Sequence, residues 1–335
     1  MTKSNTAQLH DRLRACRQPF DKVPLVDVAG LIDGSDPGSV AKEIRWALAN
    51  VGFMYIKNHG VPGELVEKTF VQARSFFEQP VEEKMKLHIS NSGVALRGYI
   101  EYFGENTDPS KTKDLKEGFD IGPERPTIEG PFFGPNQWPA TLPGFRMTVF
   151  TYHEAMKKLS IKLLSGIALS LDLPMDFFEP RMKRPITIQR LLHYPPQTGF
   201  VDDKMIGIGA HTDYGNLTIL AQDSVGGLQV MNREGIWVEG NPIPGAFVIN
   251  IGDLIQKLTN DRYIANLHRV INASGCGRYS LPFFVDADYD AVFAPLESCV
   301  SADSPARYQP ICCGAHKFAR FVQSFPHLQK TSGPR

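Results

Sequence analysis

The sequence predicts a mainly β fold: a jelly-roll core with bracing helices, an N-terminal α/β region and a C-terminal helix. From Ile186 onward, short β-rich runs alternate with turn residues such as Val225-Gly226-Gly227 and Asn232-Arg233-Glu234-Gly235, the pattern of a two-sheet all-β core. Helical periodicity dominates the first half instead. With 335 residues, 42% of them hydrophobic, the chain can bury a large core, and β barrels commonly exceed about 200 residues as one unit. One domain over 1–335 is therefore expected, with a bracing region at 1–185 and the core at 186–310. No internal repeat or low-complexity linker interrupts it.

Val23 to Val28 reads as a strand. Asp36-Pro37 then supplies an N-cap followed by proline at the first helical position, which opens a helix to about Ala49. Phe53-Met54-Tyr55-Ile56 is a short apolar strand, and Pro62 to Phe77 has Leu65, Val66, Phe70 and Phe76-Phe77 at helical spacing. The stretch from Asn91 to Pro143 is rich in Gly and Pro, yet it carries Tyr99, Tyr102, Phe103, Phe119, Phe132 and Phe133. That is too much apolar surface to stay solvated, so a substrate loop packed around the mouth of a site is expected. Residues 144 to about 172 form the longest helical pattern, with Met147, Phe150, Ala155, Leu159, Leu163 and Ile167 on the buried face.

Charge narrows the function classes. Lys+Arg and Asp+Glu are equal at 36 each, so no global field draws the chain to nucleic acid or an anionic membrane. Five cysteines (Cys16, Cys276, Cys299, Cys312 and Cys313) lack CxxC spacing and argue against a zinc ribbon or disulfide framework. Arg12, Arg14 and Arg17 precede no apolar signal region, and no run reaches about 18 apolar residues. A cytoplasmic protein in a reducing compartment is expected.

His211-Thr212-Asp213 places an imidazole and a carboxylate at i, i+2, which in an extended segment point the same way. His268, just before Val270-Ile271, belongs to another strand that must return beside the first. Two imidazoles and one carboxylate form the facial triad of non-haem Fe(II) sites and leave coordination positions open for chemistry. Arg278-Tyr279-Ser280 is a second i, i+2 pair on a strand-like run from Arg278 to Val285. A guanidinium fork and a hydroxyl on one face make a carboxylate clamp next to the metal site. Asp253 is read as fixing a turn or orienting a neighbour, and Arg269 as facing away from His268 toward a charged partner.

These residues carry a family resemblance. HTDYGNLTILAQDSVGGLQV (211–230), NIGDLIQKLTNDRYIANLHRV (250–270) and RYSLPFF (278–284) resemble the core of the isopenicillin N synthase-like Fe(II)/2-oxoglutarate-dependent oxygenases. VPLVDVAGL (23–31) and VGFMYIKNHGVP (51–62) resemble that family's N-terminal region. The resemblance implies a double-stranded β-helix in which His211, Asp213 and His268 bind iron, and Arg278 with Ser280 holds the distal carboxylate of 2-oxoglutarate. Tyr194 in LLHYPPQ (191–197) matches a tyrosine that assists cosubstrate binding. Leu192 and His193 depart from the Asn and aromatic that plant members often carry there.

What the resemblance implies as function is oxidation of a small molecule with O2, releasing succinate and CO2, with ascorbate as a reductant. Hydroxylation, desaturation and cyclisation share the motifs. RGYIEYFGENT (97–107) and KEGFDIG (116–122) also resemble the branch that includes ethylene-forming enzymes. Two alternatives stay open: a family oxidase that works without 2-oxoglutarate, separated by succinate formation, and a jelly roll whose metal is structural, which consumes no O2. Tyr99, Phe119 and Phe284 are candidates for an apolar substrate wall, and Arg97, Arg190 and His193 for reading a carboxylate.

Overall fold

The computed structural model describes residues 23–107, 113–197, 205–232, 234–325 and 328. Cys16, Arg12, Arg14, Arg17 and Arg233 lie outside them. Two β-sheets face each other. The larger takes β1 (Leu25–Asp27), β2 (Phe53–Lys57), β3 (Gly98–Ile100), β5 (Glu117–Ile121), β6 (Pro185–Tyr194), β9 (Leu217–Gln222), β12 (Phe247–Ile251) and β14 (Arg278–Asp288), in the order β1-β2-β12-β9-β14-β6-β5-β3. The smaller takes β8 (Ile208–His211), β10 (Leu228–Met231), β11 (Trp237–Glu239) and β13 (His268–Val270), in the order β11-β10-β13-β8. β4 (Lys113–Asp114) and β7 (Met205–Ile206) form a small parallel pair. The predicted jelly roll is present, with strands of the first half completing the larger sheet.

Period-two alternation sorts each strand of the larger sheet onto two faces. Leu217, Ile219 and Ala221 of β9, with Leu281, Phe283 and Val285 of β14, join the main core. That core also takes Val149, Met156, Leu163 and Ile167 of the long helix α3 (Phe145–Ser170) and packs α1 (Pro37–Asn50) and α2 (Gly63–Phe77) behind the sheet. The alternate residues Thr218 and Leu220, and Arg278, Ser280, Pro282 and Phe284, turn to the cavity between the sheets. α1 starts as its sequence directs: Asp36 caps it by accepting from the Ser39 amide at 3.1 Å, with Pro37 in the first turn.

Two expectations need correction. Met147 is 72% exposed, so the buried face of α3 runs instead through Phe145, Val149, Tyr152 and Met156. The stretch 91–143 is no simple loop, because β3 and β5 within it pair antiparallel with each other and β5 pairs with β6. Every residue of β5 is buried. Its acids are compensated from other elements: Glu117 accepts from Lys84, Tyr99 and His193, and Asp120 from Arg190. No local pattern reveals such partners.

Candidate active site

His211 and His268 pair across β8 and β13, in register, with ring centroids 4.1 Å apart. Asp213 is not on the strand, as the extended reading had it, but in the turn after β8. That turn is clamped at the start of the short helix α4 (Asp253–Leu258). The Asp253 amide donates to Asp213 O at 2.9 Å, the Leu254 amide to Gly215 O at 3.2 Å, and Thr212 Oγ1 to the Asp253 carboxylate at 2.9 Å. Asp253 therefore orients the turn. Gly252 permits the approach, because a Cβ there would collide with the carbonyls of Gly215 and Asp213.

The three ligand atoms converge. One Asp213 oxygen lies 3.8 Å from Nε2 of each histidine, and the group fits a common metal within a 4.8 Å spread. The other oxygen accepts from Asn250 Nδ2 at 2.6 Å and from Thr218 Oγ1 at 2.5 Å. His211 Nδ1 lies 2.8 Å from Gly209 O and His268 Nδ1 3.2 Å from Asn266 O, which as donors leave both Nε2 lone pairs for the metal. Burial would raise the Asp213 carboxyl, but the two imidazoles and both hydrogen bonds hold it below the ordinary range. Burial, reinforced by His268, pushes His211 down to about 4.

The last value fixes a pH dependence. An unfolded His211 takes up a proton near its ordinary value, while the folded site refuses it until about pH 4, so the metal-free protein loses stability as pH falls through that window. The loss reaches on the order of 3 kcal/mol at the acid end. Urea midpoints between pH 7 and 4 should fall more steeply for the wild type than for His211→Asn; equal slopes would refute the assignment.

Deeper in the cavity, Arg278 and Tyr194 are in register on β14 and β6, and the guanidinium sits 4.7 Å from the tyrosine ring centroid. Arg278 is fully buried. It donates to Ser280 Oγ at 3.3 Å and to Gln222 Oε1 at 3.0 Å, its Nε has no partner, and no carboxylate among the described residues pairs with it. A buried cation without an anion is an incomplete site. Its donor set fits a ligand carboxylate.

The cavity, about 950 Å³ including its open mouth, is also lined by Arg190 and Phe284. The other candidates, Tyr99 and Phe119 for the apolar wall and Arg97 and His193 for reading a carboxylate, do not line it. Arg97 is fully buried and donates to the carbonyls of Leu96 and Phe132, Tyr99 donates to Glu117 at 2.7 Å, and Phe119 packs on Phe76 and Phe145. His193 contacts Glu117 at 2.8 Å and stacks on Tyr279, on the far face of β14. Arg269 packs 4.1 Å over Trp237 and donates to Gln229. Glu105, Lys116, Tyr214, Lys317 and Phe321 line the cavity and escaped the sequence reading. Of these, Lys317 and Phe321 had a legible signal, their i, i+4 spacing on one face of a helix.

Residues 185–287 match the 2OG-Fe(II) oxygenase superfamily, and residues 23–141 match the non-haem dioxygenase in morphine synthesis N-terminal family. The 2-oxoglutarate-Fe(II) type oxidoreductase hxnY of Emericella nidulans is 39% identical, over 83% of either chain. The chain belongs to the 2-oxoglutarate- and Fe(II)-dependent oxygenases. Other members are alike over their full length: homoarginine-6-hydroxylase 2-ODD-233 of Oryza sativa is 34% identical, covering 91% of this oxygenase and 98% of that protein. The crystal structure of a full-length Neurospora crassa protein in complex with alpha-KG and thymine superimposes with a TM-score of 0.82, at 29% identity, over 92% of this oxygenase and 99% of that chain. The oxygenase thus uses Fe(II), 2-oxoglutarate and O2. No helix among its described residues is long and apolar enough to cross a membrane.

Proposed function

We propose that His211, Asp213 and His268 hold the iron, that Arg278, Ser280 and Tyr194 hold the distal carboxylate of 2-oxoglutarate, and that a small organic substrate occupies the outer cavity beside Arg190 and Phe284. The observation that carries this reading is the buried, acid-free Arg278 on the same cavity as the three converging ligands. Iron with 2-oxoglutarate supplies the oxidising chemistry, consuming O2 and releasing succinate and CO2 as the substrate is hydroxylated, desaturated or cyclised.

The chain's own work is placement. Thr218 and Asn250 fix one Asp213 oxygen so that the other faces the metal position, and Gly209 and Asn266 set the tautomers of the two imidazoles. Leu192, Ile208, Leu228 and Val270 exclude water around the cosubstrate end, which strengthens the Arg278 contact. Thymine and homoarginine, in the names of two relatives, support a small-molecule substrate. Free Cys276, Cys299, Cys312 and Cys313 support a reducing, cytoplasmic setting, and the strands that the first half lends to the larger sheet support a single catalytic unit.

The test is a visible spectrum of the anaerobic protein loaded with Fe(II), before and after 2-oxoglutarate. A new charge-transfer band is expected, followed by O2-dependent succinate release. Bound iron without a band would refute the cosubstrate assignment.

A further inference from the structure

We propose that Lys317, on the C-terminal helix, anchors a carboxylate of the substrate; this rests on the reading of the cavity just given. The helix α5 (Cys313–Ser324) is seated by its first turn, where the Cys313 and Gly314 amides donate to Ala291 O and Tyr289 O at 2.9 and 2.8 Å. One turn on, Lys317 and Phe321 line the cavity. Lys317 is 3% exposed, with its ammonium 5.8 to 5.9 Å from the ring centroids of Phe132, Phe284 and Phe321. Aromatic packing on this scale fixes a side chain that is otherwise mobile.

The ammonium has three donors, and Asp286 is its one acceptor among the described residues. Asp286 is fully buried, does not line the cavity, and gives its other oxygen to the Asn216 amide at 2.6 Å. Lys116 and Arg190 repeat the arrangement. They line the cavity while their acids, Asp114 and Asp120, stand behind them. Away from the metal turn, Glu105 is the acid that reaches the cavity, and it already accepts from both Lys116 and Arg190, at 3.1 and 2.7 Å. The three cationic ends thus face inward while Asp286, Asp114 and Asp120 stand behind them, and Glu105, the one of their four acids at the cavity, is taken up by Lys116 and Arg190; the open side at Lys317 is where a ligand anion fits. Setting aside Arg278 at the cosubstrate end, Lys317 has one carboxylate partner among the described residues where Lys116 and Arg190 each have two. Tyr214, Phe284 and Phe321 offer apolar surface for the body of such a ligand.

The experiment uses the full chain with Fe(II) and 2-oxoglutarate, without O2, and matched acid and carboxamide probes: indole-3-acetate, phenylacetate and homoarginine, each against its amide. Binding is read by thermal shift and titration. At least one acid is expected to bind on the order of tenfold to a hundredfold more tightly than its amide. Lys317→Met should erase that preference and Lys317→Arg retain it. Because Lys317→Met strands the buried Asp286, the double variant Lys317→Met/Asp286→Asn is measured beside it and should bind acid and amide alike. Acids no better than amides, no acid bound, or a preference that survives in the double variant would overturn the proposal. The charge-transfer band separates the levels: band present with no acid preference refutes Lys317 alone, and band absent refutes the parent reading and this one with it.

Discussion

Asp213→Ala is expected to lose its iron and to lower succinate release by at least about a thousandfold, or about 4 kcal/mol in the barrier. The carboxylate is the anionic member of the proposed triad, and one of its oxygens is 3.8 Å from both imidazole nitrogens. Two neutral imidazoles alone would leave an Fe(II) ion weakly held and too open to be selective. The substitution also strands Thr218 Oγ1 and Asn250 Nδ2, donors that now end on the second oxygen. Each stranded donor costs about 1–3 kcal/mol, so part of the loss is the disorder of the turn itself. Thr218→Val separates the two contributions. It keeps the ligand and removes one support, for which about a 10- to 100-fold loss of metal affinity is expected. Iron content after gel filtration and succinate yield are the readouts, and wild-type values for both in Asp213→Ala would remove the residue from the site.

The sequence makes the proposed triad and clamp legible because each is short-range in its logic. Arg278 and Ser280 share a face of one strand, and His268 precedes an apolar run that must pair with another strand. Asp213 is legible as a residue but not as a geometry. Its position depends on backbone hydrogen bonds from Gly252 to Leu254, some forty residues away in the chain, and backbone donors leave no mark on side-chain patterning. The strands β3 and β5 are hidden for a related reason. Glu117 and Asp120 sit inside a fully buried strand, where residue preferences argue for a loop, and partners from other elements, Lys84, Tyr99, Tyr102, His193 and Arg190, make their burial tolerable.

The same difficulty explains why Arg97, Tyr99 and Phe119 read as pocket residues. Aromatics and arginines in a glycine-rich stretch look like a binding loop, but here Tyr99 and Phe119 join the main core against α2 and α3, with Phe76 at the centre of the ring contacts, and Arg97 is buried on the carbonyls of Leu96 and Phe132. The residues that do line the outer cavity come from five separated places: Glu105, Thr107 and Lys116; Arg190; Tyr214; Phe284; and Lys317 with Phe321. Their grouping follows from the sheet order and the docking of the C-terminal helix, both long-range properties.

Arg278 gives the second large effect. Arg278→Leu should weaken apparent 2-oxoglutarate affinity by about thirtyfold or more, since truncating a buried, hydrogen-bonded charge contact costs roughly 2–5 kcal/mol. The folded protein without ligand should tolerate the change or gain from it. The guanidinium is fully buried and, among the described residues, faces only the neutral acceptors Ser280 and Gln222 and the Tyr194 ring, with its Nε unpartnered. Its desolvation is therefore unrepaid until a carboxylate arrives. Opposite signs for stability and for cosubstrate affinity distinguish a ligand-binding arginine from a structural one. Arg278→Lys keeps the charge and loses the fork, so it should recover only part of the affinity. A denaturation midpoint without ligand, set beside the 2-oxoglutarate dependence of succinate release, tests both halves. If Arg278→Leu unfolds the protein and the fraction that remains folded binds 2-oxoglutarate normally, the clamp lies elsewhere.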